Sequence, residues 1–145
     1  MSLKDWLKND WLVEHKTSPQ EIRNLLGVAD RDLDDCRAAG LSADWKMNSA
    51  YNATLQAATA ALAACGFRAS RDSHHYRIIQ SLAFTLEMDA KLIAKFDKFR
   101  KKRNIGGYEQ AGLVSEQEAG EMIFLAEQLR EVTALWLRSN HPELL

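Results

Sequence analysis

Ala50-Tyr51-Asn52-Ala53-Thr54-Leu55-Gln56-Ala57-Ala58-Thr59-Ala60-Ala61-Leu62-Ala63-Ala64 decides the fold class, because eight of these fifteen residues are alanine. Alanine has the highest helix propensity and almost no side chain. A run of this kind is a helix that others approach closely. Met47, Ala50, Tyr51, Thr54, Ala57, Ala58, Ala61, Leu62 and Cys65 recur at the three-to-four spacing of one buried face. Ser42 stands where an N-cap belongs and Gly66 where the helix must stop. This should be the central helix of a bundle.

Working outward, the same punctuation repeats. Thr17 or Ser18, followed by Pro19, opens a helix with the stripe Ile22, Leu25, Leu26, Ala29 and Leu33, closed by Gly40. Asp72 or Ser73 opens another over Ile78, Ile79, Leu82 and Leu86. After a break near Glu87 comes a helix, or the second half of a kinked one, with Leu92, Ile93, Phe96 and Phe99, broken at Ile105-Gly106-Gly107. Ser115 and Glu118 form a capping box for the last helix, with the stripe Met122, Leu125, Ala126, Leu129, Val132 and Trp136. Asn140 and Pro142 end it. No stretch reads as a strand. The expected fold is all-α, an antiparallel bundle of four to five helices over 18–145. Residues 1–17 form an arm or short helix whose Trp6 and Trp11 dock on the body; ligand binding through those rings is the alternative.

The 145 residues suit one domain, and 46% apolar with 27% charged is an ordinary globular balance. A net charge of −1 gives no global field for nucleic acid or anionic lipid, so an anion site must be local. No window approaches a membrane span and no signal peptide is visible, so a cytoplasmic location is expected, without membrane attachment. Cys36 and Cys65 match no metal spacing and read as reduced thiols. Asp30, Asp32, Asp34 and Asp35 cluster, yet lack the glycine turn of a calcium loop; they read as a solvated face, with a metal-dependent hydrolase as the weaker alternative. No metal or cofactor is expected.

Chemistry concentrates at one helix end. Residues 95–103 carry six cations against one anion. Most of that run suits a solvated face and a helix C-terminus. Arg103 differs: it follows Phe99 by four positions and Phe96 by seven, so it continues the apolar stripe. Either it snorkels, or its fork is held in a cleft to grip phosphate. Asn104, the Gly106-Gly107 turn and Tyr108 follow directly. Arg100, Lys102 and His74 are further phosphate-binding candidates. His74 and His75 open a helix whose N–H groups favour an anion, and a nearby guanidinium would lower their pKa values. Either they supply acid/base groups to the cleft, or they are merely packed or exposed.

Arg103-Asn104-Ile105-Gly106-Gly107-Tyr108 resembles the arginine–asparagine–x–x–x–histidine motif of the HEPN superfamily, the higher eukaryotes and prokaryotes nucleotide-binding domains. Arg103 and Asn104 match the first two motif positions, and the motif histidine falls on Tyr108. By helix order the resemblance covers roughly 18–138. It implies an HEPN-like bundle that binds RNA or a nucleotide as a homodimer. It also implies metal-independent ribonuclease chemistry in a toxin–antitoxin or defence system, and a cognate antitoxin or nucleotidyltransferase as partner. Arg103 would stabilise phosphate charge, with Tyr108 and His75 as the acid/base candidates. Tyrosine, with a pKa near 10, is a poor base at neutral pH, so the expected nuclease activity is weak or lost while phosphate binding is kept. The alternative is a non-enzymatic, antitoxin-like or regulatory interaction module.

Overall fold

The computed structural model describes residues 1–106 and 114–145, with the side chains of 104–106 outside that description. Tyr108 therefore lies outside the described residues, as does the Asn104 side chain. The helices are α1 (Leu3–Lys8), α2 (Pro19–Asp35), α3 (Ala43–Ala64), α4 (His74–Thr85), α5 (Ala90–Gly106) and α6 (Glu116–Asn140). Two short strands, β1 (Leu12–Glu14) and β2 (Phe67–Ala69), and a final 3-10 turn at Pro142–Leu144 complete the chain. The protein is an all-α helical bundle.

α3 is its axis. It packs against α2, α4, α5 and α6. Ala50, Ala53, Ala57, Ala58, Ala60, Ala61 and Ala63 are all buried, so nearly the whole circumference is covered. A helix can be enclosed this way only if its side chains are small. Ser42 caps it, accepting from the Trp45 N–H at 3.3 Å. Gly66, at φ +94°, reverses the chain after it.

The caps stand where the sequence places them. Ser18 accepts from Glu21 N–H at 3.1 Å with Pro19 in the first turn. Ser115 and Glu118 form the reciprocal box. Three features depart from expectation. α2 ends at Asp35 rather than near Gly40, because Arg37 and Ala38 N–H groups tighten onto the Asp34 and Asp35 carbonyls, each at 3.1 Å. The expected break near Glu87, at φ 53°, divides α4 and α5 into separate helices rather than the halves of one kinked helix. The end of the α6 stripe shifts by one position: Thr133 and Leu137 are buried, whereas Val132 is exposed and Trp136 only half-buried. The Thr133 hydroxyl donates to the Leu129 carbonyl at 2.7 Å, which satisfies it inside the core.

The third departure is the pair of strands. β1 and β2 run antiparallel, with Leu12 opposite Ala69, Val13 opposite Arg68 and Glu14 opposite Phe67. Each spans three residues, too few for an alternating pattern to show. Their effect is to tie the N-terminal arm to the α3–α4 connection. Trp6 docks with 5% exposure and meets Trp11 and Phe84 edge-on. The indole of Trp11 is thereby held over the first turns of α4.

Close enclosure of α3 makes a specific demand. Ala57→Leu, at a fully buried position, should cost about 1–3 kcal/mol by overpacking. Chemical denaturation checks this; a midpoint equal to that of the wild type would contradict the enclosed-axis description.

Candidate functional site

Tyr51 is the largest buried side chain of the alanine-rich helix. It is fully buried, and the Arg103 guanidinium of α5 lies 5.0 Å from its ring centroid. The His75 ring of α4 meets it edge-on at 6.1 Å, and His74 and His75 rings are 5.9 Å apart. Thus the C-terminal end of α5 and the N-terminal end of α4 converge on one tyrosine. Arg103 does continue the Phe96–Phe99 stripe: both phenylalanines are buried and Arg103 is half-buried. The Tyr51 hydroxyl has no hydrogen-bond partner among the described residues. Burial pushes its pKa up to about 12, against the opposing pull of Arg103 and Arg100.

The α4 N-terminus is open. Ser73 stands at the N-cap position in the left-handed region, φ 54°, and its side chain makes no cap, contrary to the usual role of serine there. The helix's first N–H groups, which have no intrahelical acceptor, and the positive end of its dipole face outward. Ser73, His74, His75, Tyr76 and Arg100 line an open hollow of about 520 Å³ at this end. His74 Nδ1 donates to the Ser70 carbonyl at 3.1 Å.

The cations divide by partner. Arg100 donates to Asp97 at 2.7 Å and lies 5.4 Å from the Tyr76 ring centroid. Its position is thus fixed, and part of its charge is answered. Lys102 is bound to Glu118, whose carboxyl it holds below the usual range together with the Ser115 backbone N–H. Lys102 is therefore committed to joining α5 to α6 rather than left for a phosphate. Arg103 has no carboxylate partner among the described residues. Its field acts on His75. Desolvation lowers the His75 pKa first, and Arg103, His74 and Arg100 lower it further. At neutral pH His75 is accordingly an uncharged imidazole able to accept a proton.

The structure brings together Arg103, His75, His74 and Arg100. Lys102 is instead paired with Glu118 of α6. Sequence reading overlooked Tyr51, which it assigned to the core stripe, and Tyr76 and Arg77 beside the histidines. A signal existed for Tyr51: a hydroxylated aromatic inside an alanine helix has to find a partner or serve a purpose. The aspartates of α2 go to different neighbours, Asp30 to Arg130 at 2.8 Å and Asp34 to Arg37 at 3.6 Å. Asp32 accepts from the side chain of Asn52. Among the described residues no group of three or more His, Cys, Asp or Glu is placed to hold a metal ion, and no helix is long and apolar enough to cross a membrane.

No protein-family model, curated protein or solved structure matches the chain.

The lowered His75 pKa has a sign. The unfolded chain binds the His75 proton more readily than the folded one, so stability is fully present above about pH 6.5, the unfolded value. It falls as pH drops from there through the folded pKa. Tyr51 on α3, His74 on α4, and Arg100 and Arg103 on α5 are the groups that face the imidazole. In His75→Gln, thermal melts between about pH 7 and pH 5 should lose less stability than the wild type does. Identical pH slopes in the two proteins would remove the burial of a neutral His75 from the account.

Proposed function

We propose that this chain is an HEPN-like RNA- or nucleotide-binding protein that works as a homodimer. Arg103 is its principal phosphate ligand. One observation carries the reading: Arg103 and His75, distant in sequence, meet on the same buried tyrosine beside an open helix N-terminus. A guanidinium with no carboxylate partner among the described residues and an uncapped helix N-terminus suit a phosphate by both charge and fork geometry. Arg100, anchored by Asp97, adds positive potential without needing to move. Asn104 follows Arg103 directly in sequence.

Any cleavage would use Arg103 and His75 together with Tyr108, the residue at the motif's histidine position. Neutral His75 takes the proton of a ribose 2′-hydroxyl; that oxygen attacks the adjacent phosphorus while Arg103 stabilises the added charge. The bond to the 5′-oxygen breaks, and the departing oxygen takes a proton from the Tyr108 hydroxyl. The products are a 2′,3′-cyclic phosphate and a 5′-hydroxyl end. A tyrosine is a weak acid for this task, so the expected turnover is slow. Membership of a toxin–antitoxin or defence system, with an antitoxin or nucleotidyltransferase partner, belongs to this proposal.

The dimer has a surface to use. Met88, Leu92, Phe96, Leu125, Leu129 and Val132 line an apolar groove of about 270 Å³ beside α6, and Val132 and Leu135 are exposed there. Apolar side chains gathered in this way suit a protein contact. The same groove favours the second reading, a non-enzymatic regulatory module, in which Arg103 would be dispensable for the partner.

Binding of adenosine monophosphate and of single-stranded RNA at low salt tests the proposal. Arg103→Ala should weaken both at least about ten-fold, since hydrogen bonds to charged groups are the stronger class. Lys102→Ala should stay within about two-fold, its ammonium being committed to Glu118. A wild-type protein with no affinity for either ligand would sink the reading.

A further inference from the structure

Arginines on this protein differ in their partners. On the α2 and α6 side three are paired with carboxylates, Arg31 with Asp32 at 3.4 Å, Arg37 with Glu127, and Arg130 with Asp30 at 2.8 Å, while Arg23 donates to Gln20. From β2 through α4 to the end of α5, Arg100 is the one so paired among the described residues, with Asp97 at 2.7 Å. Arg68, Arg71, Arg77 and Arg103 have no carboxylate partner among the described residues. In a chain of net charge −1, with 20 acidic residues, this local surplus is a matter of placement rather than composition.

The surplus is interleaved with aromatic rings. Arg77 lies 3.7 Å from the Trp11 ring centroid, a direct stack, and 5.4 Å from that of Tyr76. The Arg100 guanidinium lies 5.4 Å from the same tyrosine. Trp11, Arg77, Tyr76 and Arg100 therefore form a ladder of alternating planar groups, and none of the four is buried. It runs from the N-terminal arm to the hollow at the start of α4. The arm is pinned for the purpose: Ser70 N–H donates to the Trp11 carbonyl at 3.0 Å, and the Ser70 hydroxyl to the Asp10 carbonyl at 2.7 Å.

Alternating cations and π-faces are what a single-stranded nucleic acid requires. Its phosphates meet the guanidinium groups and its unpaired bases stack on rings or on guanidinium planes. We propose that the ligand is a single-stranded polyribonucleotide, one of whose phosphates sits at Arg103 and His75 and whose neighbouring nucleotides run across Tyr76 and Arg77 to Trp11. This rests on the phosphate-binding reading of Arg103. It adds that the protein grips a strand rather than a lone nucleotide, and that the N-terminal arm belongs to the binding surface.

Affinities of the full chain for adenosine monophosphate and for an oligouridylate of about ten nucleotides, measured over a salt series, test the ladder. The wild type should hold the oligonucleotide at least about ten-fold more tightly than the mononucleotide. Arg77→Gln should weaken the oligonucleotide about ten-fold, reduce its salt slope by roughly one, and leave mononucleotide binding unchanged. Arg77→Lys, which keeps the charge and loses the plane, should keep the salt slope and lose part of the affinity. If the mononucleotide binds and the oligonucleotide binds no better, the ladder is overturned and the phosphate site stands. Equal losses of both ligands in Arg77→Gln, or no loss of either, overturn it as well, as does equal competition by a polyglutamate peptide. Binding of neither ligand by the wild type overturns the ladder and the phosphate site together.

Discussion

The enclosure of α3 governs the rest of the molecule. Four helices pack against it, which only alanine and similarly small residues permit around most of its surface. Met47, Leu55 and Leu62 are buried on it as well, and Tyr51 is its largest buried side chain. α4 answers it with a histidine and α5 with an arginine. A large ring in a helix of small residues thus creates a place where polar groups are held at the edge of the core.

The polar groups gathered there act on one another. Arg103, lacking a carboxylate among the described residues, keeps its charge available. That charge, added to burial, keeps His75 neutral, while Arg100 is steadied by Asp97. A phosphate arriving at Arg103 would offset the field that disfavours the protonated imidazole. Binding and protonation are coupled by this geometry, as linkage requires of any ligand charge near a titrating group. The uncapped start of α4 adds N–H groups that cost no reorganisation when an anion arrives.

Local rules were legible in the chain because they act over a few residues. The serines at 18, 42 and 115 cap the helices they precede, and the alanine run is the buried axis. Arg103 follows the phase of Phe96 and Phe99 into a half-buried position. What escaped depends on distance in sequence or on fine phase. Strands of three residues carry no alternation, and in α6 a one-position drift exchanges Val132 for Thr133, whose hydroxyl then bonds inside its own helix. Tyr51 looked like ordinary core because nothing within a few positions of it shows that α4 and α5 will meet there. Arg77 escaped for the same reason: the indole it stacks on belongs to an arm brought over by the β1–β2 pairing. Lys102 and Arg103 are adjacent and chemically similar in the sequence, and only the position of Glu118 tells them apart.

The central claim is that Arg103, Tyr51 and His75 form one phosphate-binding locus. Following the His75 ring resonances by NMR over a pH titration, with and without adenosine monophosphate, tests it most directly. The His75 pKa should begin below the usual histidine value and rise when the nucleotide binds, because the phosphate offsets the Arg103 field. A nucleotide that binds while leaving the His75 titration unchanged would place the phosphate elsewhere and contradict the account.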